Sequence, residues 1–389
     1  MNKKSKIVHI CLAGFYIEGW GYQENILTKI HAQMGYDITV LTSEYILNSK
    51  YEKERRREKN YINQYGVRVK TLKEDNKIKK MAILRKYKNL YNELKKENPQ
   101  IIFVHGGQFY SLRDVVKYCK KNKNVNLYID QHADYYNSPM NSMVAIILNK
   151  ILWGHWMRKA QRYCNKYWGV TPLRCQYLHE VYRIAEDKID LLVMGGDDEK
   201  ICFEEQDEIR KNIRIQYKIQ QDDFLIITGG KIDKNKNIHL LMRAIVEMNI
   251  NKVKLLLFGV PNTEMDSEIK KLSLDKHIVN IGWKDSEEIY NLFLASDLAV
   301  FPGTHSVIWE QACACGIPCV FKYWEGMNHV DVGGNCTFLG NTEINDIKNE
   351  IYNMYMDKEK YRVMKQVARE QATKVFSYRE IAKRAIENE

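Results

Sequence analysis

The stretch that decides the fold is Asp297–Pro318, which reads DLAVFPGTHSVIWEQACACGIP. Its apolar start predicts a buried strand that ends before Pro302, and a short loop follows. A helix is then expected to begin with Thr304 or Ser306 as its N-cap and to end at Gly316. The segment therefore predicts one strand–loop–helix unit of an α/β fold.

The start of this predicted helix is suited to anion binding. The first N–H groups of a helix have no partner within it, and the positive end of the helix dipole lies there. A diphosphate group is therefore an expected ligand. Glu310 lies one turn into the helix, where its carboxylate can accept hydrogen bonds from ribose hydroxyl groups. The alternative is that Glu310 only complements the helix dipole.

The same alternation of strands and helices extends through the rest of the chain. Strands are predicted at Ile7–Leu12, Asp37–Thr42, Ile101–His105, Leu127–Gln131, Tyr167–Val170, Asp190–Val193, Phe224–Thr228, Lys254–Phe258, His277–Ile281 and Pro318–Lys322. Helices are predicted between them, among others at Asn25–Met34, Ala82–Glu97, Tyr110–Lys120, Asn237–Met248 and Ser286–Ala295. Uncharged strand cores separated by helices indicate parallel sheets that are covered on both faces.

Two such runs predict two facing Rossmann-like, doubly wound α/β domains, with ligands in an interdomain cleft. The chain of 389 residues is long enough for this, at about 150 residues per domain. The predicted domains are residues 1–200 and 201–375. A C-terminal helix over 376–389 is expected to cross back to the N-terminal domain.

The segment around Glu310 resembles the donor-binding signature of glycosyltransferase family 4 (glycosyl transferases group 1), whose members have the GT-B fold. In that signature a loop carries a first Glu, and a helix carries a second Glu before Ala-x-Ala-x-Gly-x-Pro. Glu310 matches the second Glu, which in the family binds the nucleotide ribose. Pro302 stands where the first Glu is expected, and His305 and Ser306 occupy a shortened loop. The resemblance implies that backbone amides near Ser306 and Val307 hold the diphosphate.

A second match is Gly229–Asn237, which reads GGKIDKNKN and follows a predicted strand. It resembles the family's Gly-Arg-Leu, three variable residues and Lys-Gly. Lys231 stands in the place of the Arg and Lys236 in that of the Lys, while Gly230 belongs to the same donor loop. Two cations at this spacing can neutralise a diphosphate leaving group. The alternative is a surface loop that is merely rich in Lys and Asn.

Weaker matches follow other strands of the C-terminal half. Gly259 and Gly282–Trp283 lie at strand ends, where the family contacts the nucleotide base. Met194–Asp198 resembles the Pro-Asn-Gly-Val-Asp segment at the family's domain junction.

The N-terminal half has its own weaker matches. Glu18–Gln23, with Gly19 and Gly21, resembles the family's first glycine-rich loop, where glycine lets the backbone approach a ligand. His105, with the glycine after it, resembles the family's His-Gly. His132 resembles a histidine that contacts the donor sugar, although a structural histidine is the alternative.

The charge of the chain is unevenly distributed. Residues 1–200 hold 35 basic and 21 acidic residues, a net +14, whereas the remainder has a net −3. Nucleic acid, an anionic membrane surface or a phosphate-bearing substrate would each explain the excess, as would solvated helix faces. No nucleic-acid motif accompanies it. Segment 50–100 has a net +10, and its basic residues include Arg55, Arg56, Arg57, Lys79, Lys80, Arg85, Lys86 and Lys88.

The cysteines and the hydropathy of the chain indicate the cellular compartment in which the protein is expected. The nine cysteines are an odd number, and Cys313, Cys315 and Cys319 lack zinc-ligand spacing, so free thiols in a reducing cytoplasm are expected. Neither a signal peptide nor an apolar run of 18 residues is predicted. Met143–Met157 resembles a membrane-interface helix, with a buried helix as the alternative. These features predict a cytoplasmic protein, with 50–100 available to contact the inner face of the membrane.

The family resemblance implies a retaining, metal-independent hexosyltransferase that acts in envelope or capsule polysaccharide synthesis. The nucleotide-sugar is a substrate, and no cofactor is expected. The C-terminal domain would bind the donor and the N-terminal domain a glycan or lipid-linked acceptor. Lys231, Lys236 and His132 would be catalytic. A GT-B sugar-nucleotide epimerase, a phosphorylase and a non-catalytic partner protein are the alternatives, and the missing first Glu favours the last.

Overall fold

The structure is a computed structural model that describes residues 5–47, 52–75, 83–138 and 142–387. The chain divides into two compact units. Unit 1 comprises Met1–Val193 together with Ile381–Glu389, and unit 2 is Met194–Glu380. The end of the chain therefore packs with the unit in which the chain begins.

Unit 1 is built on a mainly parallel sheet. Its described strands are β1 (Lys6–Cys11), β2 (Asp37–Ser43), β3 (Tyr45–Leu47), β4 (Lys53–Arg55), β5 (Asn60–Ile62), β6 (Arg68–Leu72), β7 (Ile101–His105), β8 (Asn126–Gln131), β9 (Cys164–Gly169) and β10 (Ile189–Leu191). Eight of these described strands form one sheet in the order β10-β9-β8-β7-β1-β2-β6-β5. Only its edge pair β5–β6 is antiparallel, and β3 pairs with β4 separately.

Helices cover this sheet and bury its apolar strands. The helices of unit 1 are α1 (Gln23–Gln33), α2 (Leu90–Glu97), α3 (Leu112–Lys121), the short and unburied α4 (Met143–Ile146), α5 (Gly154–Gln161) and α6 (Pro172–Glu180). A further helix, Tyr378–Ile386, begins in unit 2, and its residues from Ile381 onward belong to unit 1. A π-helical segment, Ile147–Trp153, joins α4 to α5. We call this continuous stretch helix 143–161. Fully buried β1 and β7 residues and the inner faces of α2 and α3 share one apolar core.

Unit 2 repeats the plan with a smaller, wholly parallel sheet. Its strands are β11 (Phe224–Ile232), β12 (Val253–Pro261), β13 (Ile278–Gly282), β14 (Leu298–Phe301), β15 (Cys319–Lys322) and β16 (Cys336–Leu339). Its helices are α7 (Gln206–Gln216), α8 (Ile238–Met248), α9 (Asp266–Leu272), α10 (Ser286–Ala295), α11 (Ile308–Ala314), α12 (Ile344–Met356), α13 (Lys358–Val367) and α14 (Thr373–Val375). The strand order is β13-β12-β11-β14-β15-β16.

Each sheet reverses its strand order beside its first strand. In unit 1, β1 lies between β2 and β7, and in unit 2, β11 lies between β12 and β14. Ligands of doubly wound sheets bind outside the carboxyl ends of the strands at this switch point. We therefore expect ligand-binding residues in the segments that follow β1 and β7 in unit 1, and β11 and β14 in unit 2.

The prediction of doubly wound α/β units is confirmed, but one predicted helix is too long. The helix expected over 82–97 begins at Leu90. Tyr87 forms a β-bridge with Glu74, and Arg85 and Asn89 have φ angles of 48° and 65°. Left-handed backbone cannot continue an α-helix, so the helix starts only after Asn89.

Candidate functional site

The predicted donor residues of unit 2 lie at its switch point. Strand β11 extends beyond the predicted Thr228 to Ile232, and Gly230 pairs with Gly259 in register. A Cβ on Gly259 would lie 1.9 Å from the carbonyl oxygen of Gly230, and Gly259 has a φ of +109°. Gly259 is thus required by backbone packing, whereas its contact with a nucleotide base stays a prediction.

The loop after β14 is bound to the turn after β11. Lys236 Nζ lies 2.7 Å from the carbonyl oxygen of Thr304 and 3.3 Å from that of His305. Asn237 donates a hydrogen bond to the carbonyl of Pro302 at 3.0 Å. A Cβ on Gly303 would lie 2.4 Å from backbone atoms of Lys236. The two sequence matches therefore form one structural unit.

Lys231 and Lys236 have different surroundings. The side chain of Lys231 is 77% exposed and lies 3.5 Å from Asp233. Lys236 is partly buried, burial lowers its pKa, and it gives hydrogen bonds to two carbonyl oxygens. Lys231 is therefore free to reach a ligand, and Lys236 shapes the loop that carries His305.

Glu310 is held by two histidines inside unit 2. Its Oε1 accepts hydrogen bonds from His305 Nε2 at 2.8 Å and from His329 Nε2 at 2.9 Å. The Glu310 side chain is fully buried in α11. Trp309, the preceding residue, stacks on Phe321 at 4.4 Å between ring centroids and anchors this turn of the helix.

The second carboxylate oxygen of Glu310 is left without a partner. Within unit 2, all of which is described, Glu310 Oε2 is buried and accepts no hydrogen bond. Burial alone would raise the pKa of Glu310, but His305 and His329 outweigh it and hold the pKa well below its usual range. Glu310 is thus an ionised carboxylate with one open acceptor. A hydroxyl donor from a ligand would satisfy that acceptor.

His305, Glu310 and His329 also bring possible metal-ligand atoms within 4.8 Å of one another. Two imidazoles and a carboxylate are a ligand set that suits Zn²⁺. However, both Nε2 atoms contact Glu310 Oε1 at hydrogen-bond distance, as N–H donors would. A metal ion would require each imidazole to give up that proton and to present a lone pair instead.

The predicted N-cap of α11 is wrong. Val307 is the N-cap and already has helical φ and ψ angles, and no side chain caps the helix. The carbonyl of Ser306 accepts a hydrogen bond from Trp309 N at 3.0 Å, so a turn precedes the helix. Ser306 and Val307 lie directly before α11, and their contact with a diphosphate stays a prediction.

The predicted residues of unit 1 follow the carboxyl ends of its strands: Gly19 and Gly21 after β1, at the switch point, and His132 after β8. Gly19 and Gly21 are in the segment between β1 and α1, and a Cβ on either would meet nothing within 4 Å. Gly19 has a φ of +79°, which favours glycine there. His132 follows β8, and its Nε2 lies 3.3 Å from Asp130 Oδ2. Their roles in ligand binding stay predictions.

Three functional candidates were not found from the sequence. His329 lies in a 3₁₀ turn after β15 and contacts Glu310 from 19 residues away. Arg174 of α6 bonds Asp134 through Nε at 3.1 Å, and Gln23 begins α1. Among the described residues, Arg174 Nη1 and both side-chain amide atoms of Gln23 are buried without partners. Gln23 ends the predicted glycine-rich loop Glu18–Gln23 but was not singled out there, and neither His329 nor Arg174 lies in a local motif that could have revealed it.

Comparison with known proteins agrees with this fold. Residues 209–371, which lie in unit 2, match the family model described as glycosyl transferases group 1. The fold of the whole chain is GT-B, as the resemblance implied, because two solved structures align with nearly all of it. A glycosyltransferase from Rickettsia africae has a TM-score of 0.70 at 15% identity, and covers 98% of this chain and 96% of its own. Anabaena Alr3699/HepE, solved with UDP and glucose, has a TM-score of 0.66 at 16% identity, with 98% of both chains covered.

A curated relative is more similar over a shorter stretch. It is the N-acetylgalactosamine-N,N'-diacetylbacillosaminyl-diphospho-undecaprenol 4-alpha-N-acetylgalactosaminyltransferase of Campylobacter jejuni, with 32% identity over 102 residues. The match spans 25% of this chain and only 28% of the relative's length.

Proposed function

We propose that this protein transfers a sugar from a nucleotide-sugar to an acceptor hydroxyl group. The observation that carries the proposal is the ionised, buried Glu310 with one unpartnered oxygen, within the residues that match glycosyl transferases group 1. A vicinal ribose diol offers the hydroxyl donors that Glu310 Oε2 lacks. Unit 2 is thus the proposed donor-binding unit, and unit 1 the proposed acceptor-binding unit.

The proposed chemistry is a front-face transfer that retains the anomeric configuration. Lys231 stabilises the negative charge that develops on the departing diphosphate, and the leaving phosphate oxygen accepts the proton of the acceptor hydroxyl. Lys236 holds the Thr304–His305 carbonyls and so keeps the loop before α11 in place. Glu310 fixes the nucleotide through its ribose.

The proposed reaction needs no divalent metal. Lys231 does the electrostatic work that a metal ion does in other transferases, and His305 and His329 are engaged with Glu310 as N–H donors. We expect turnover to be unchanged after exhaustive dialysis against EDTA, as measured by release of the nucleoside diphosphate. A loss that Zn²⁺ restores would show instead that His305, Glu310 and His329 form a metal site.

The proposed acceptor is lipid-linked, which requires the protein to reach a membrane surface. Within the described part of the chain, none of the helices has the length and apolarity needed to span a bilayer. Helix 143–161, however, exposes Met143, Val144, Ile147 and Ile151 along one stretch. Lys150 is exposed beside them. Apolar side chains beside lysine suit the interface of an anionic bilayer.

The basic segment 50–100 offers a less uniform surface than predicted. Lys79 and Lys80 lie outside the described residues. Including Arg56 in a basic surface was wrong, because its buried guanidinium donates hydrogen bonds to the carbonyls of Ser43 and Tyr16. Arg55 pairs with Glu44 at 2.9 Å, and both Lys86 and Lys88 lie near Asp75. Helix 143–161 is therefore the stronger candidate for membrane contact.

Replacing Ile151 by glutamate is expected to reduce binding to anionic vesicles by roughly 10- to 100-fold. Burying one isoleucine side chain in the bilayer interface contributes about 1.5–3 kcal/mol to the free energy of binding. A glutamate at that position loses this contribution and is repelled by the anionic lipid. Flotation with phosphatidylglycerol vesicles measures the effect. Leu274→Glu is the matched control, because Leu274 is an exposed apolar residue of unit 2. Equal flotation of Ile151→Glu and wild-type protein would argue against this surface.

A nucleotide-sugar panel tests the proposed activity as a whole. Thermal shift identifies the donor, because a ligand of the native state raises the apparent stability. The donor is then incubated with a diphospho-polyprenol glycan, and the new linkage is read by NMR. Transfer with retention supports the proposal. A new nucleotide-sugar formed without acceptor would identify an epimerase, and binding without turnover would favour a non-catalytic partner.

A further inference from the structure

Three buried histidines form a continuous row in unit 1. His31 Nε2 lies 2.8 Å from the carbonyl oxygen of Ala382, and His31 Nδ1 lies 3.1 Å from His9 Nε2. His9 Nδ1 is 2.9 Å from His105 Nε2, and His105 Nδ1 is 2.9 Å from Asp130 Oδ2. We call His31, His9 and His105 the histidine chain. All three are at least nine-tenths buried.

The protons of this row can be counted. Its four contacts use all six ring nitrogens, and each hydrogen bond needs one proton. Three neutral imidazoles supply only three protons. The acceptors at the two ends, a carbonyl and a carboxylate, supply none. With only three protons, one contact would bring two lone pairs together at about 3 Å, which hydrogen-bond geometry does not allow. The row therefore holds a fourth proton.

The fourth proton belongs at the Asp130 end of the row. Burial, together with the neighbouring histidines, lowers the pKa of His9, and burial lowers the pKa of His31 to about 4. The pKa of Asp130 is also below its usual range, because His132 and His105 outweigh the effect of its burial. An imidazolium at His105 beside an Asp130 carboxylate satisfies all four contacts. Asp130 Oδ1 is separately fixed by the backbone N–H of Gly106 at 2.9 Å.

We propose that the histidine chain carries one extra proton that neutralises Asp130, and that His105 thereby sets the charge and orientation of His132. His132 Nε2 faces the same carboxylate oxygen that His105 contacts, at 3.3 Å. The His132 side chain is 37% exposed, while its Nε2 is buried. With the Asp130 charge partly compensated by His105, the pKa of His132 rises less than it would beside an unpaired carboxylate, and the neutral form of His132 directs its Nε2–H inward. Its Nδ1 then remains as an acceptor for a hydroxyl group.

The other charged groups that act on His132 come from neighbouring helices. Glu24 of α1 favours its charged form, and Arg174 of α6 opposes it. Burial lowers the pKa of His132, but Asp130 raises it to a net value above the usual one. Glu24 also interacts with His105. His105 is therefore a positioning residue that acts on His132 through Asp130. Its effect on sugar transfer rests on the proposed function.

The test reads the histidine protons directly and needs no substrate. In the full chain labelled with ¹⁵N-histidine, we expect one imidazole with both nitrogens protonated at neutral pH and absent from the His105→Asn spectrum. Only neutral rings in the histidine chain would overturn the proposal. If His105→Asn does not fold, through-bond and through-space NMR assignment of the wild-type protein identifies the ring instead, so the measurement remains decisive.

Two variants test the effect on His132 with opposite signs. His105→Asn keeps an N–H near the position of Nδ1 but removes the positive charge, so the pKa of His132 should rise. Asp130→Asn removes the negative charge, so the pKa of His132 should fall. His155→Asn is the matched control, because His155 is an exposed histidine of the same unit. It should leave the pKa of His132 unchanged. A neutral chain with a purely structural role predicts no rise in His105→Asn, and that result would contradict the proposal.

The same variants separate this inference from the proposed function. If sugar transfer is found, His105→Asn should move the acid limb of its pH profile to higher pH, because His132 stays charged further into the neutral range. Transfer with no such movement, together with unshifted His132 titration, would reject the role of His105 alone. Absence of transfer with the expected ¹⁵N spectrum would reject the function and leave the protonated chain standing.

Discussion

Replacing Glu310 by glutamine is expected to weaken nucleoside-diphosphate binding by about 10- to 100-fold and to reduce sugar transfer at least as much. Each hydrogen bond to a charged group contributes roughly 1.5–3 kcal/mol, and a glutamine amide removes the charged acceptor at the place of Oε2. Calorimetric titration and initial rates measure the two losses. The glutamine keeps an oxygen for His305 and His329, so the fold should remain intact.

Alanine at the same position is expected to do more than remove a ligand contact. Glu310→Ala removes the carboxylate oxygen that His305 and His329 share, and breaking a buried charged network costs about 3–5 kcal/mol. Loss of stability would then be confused with loss of binding, which makes glutamine the informative change. Glu359→Gln is the matched control, because Glu359 is an exposed carboxylate of unit 2 that pairs with Arg362. Wild-type affinity in Glu310→Gln would reject the assignment of the ribose site.

Replacing Lys231 by methionine is expected to lower the turnover rate about 10²- to 10³-fold, the effect typical of losing one group that stabilises charge in the transition state. Because the Lys231 side chain is mostly exposed, the free energy of unfolding should not change. Single-turnover rates and urea denaturation measure the two quantities. Lys270→Met is the control, since Lys270 is equally exposed and also pairs with an aspartate.

Lys236→Met should behave differently. Two carbonyl oxygens would lose their donor, at a cost of about 1–3 kcal/mol each, so both stability and nucleotide affinity should fall. Lys231→Met and Lys236→Met with the same profile of stability and turnover would contradict the separation of a ligand-facing cation from a loop-holding one.

Much of the donor half was predictable because its signals are local. The strand, loop and helix around Glu310 follow from an apolar run and the residues that break it, and Lys231 and Lys236 belong to one short sequence motif. The N-cap of α11 was missed because the backbone is already helical at Val307, so no capping side chain marks the start. The extension of β11 was missed because Gly229 and Gly230 read as a loop, although they continue to pair with β12.

The non-local features could not be predicted. His329 reaches Glu310 from a turn after a later strand, and no spacing rule links the two residues. The histidine chain depends on Ala382, which contacts His31 from 351 positions away in the sequence. Strands β3–β6 lie in a segment rich in charged residues, where alternation of apolar and polar residues is weak. In each case the tertiary structure supplies partners that neighbouring residues do not reveal.

The central claim is that Glu310 binds a ribose diol, and a double-mutant cycle tests it most directly. Titration calorimetry would compare a nucleoside diphosphate with its 2′,3′-dideoxy analogue on wild-type protein and on Glu310→Gln. We expect wild-type protein to bind the dideoxy analogue about 10- to 100-fold more weakly, whereas Glu310→Gln should bind both nucleotides almost equally. The same loss on both proteins would mean that Glu310 does not contact the diol, and would contradict the proposed donor site.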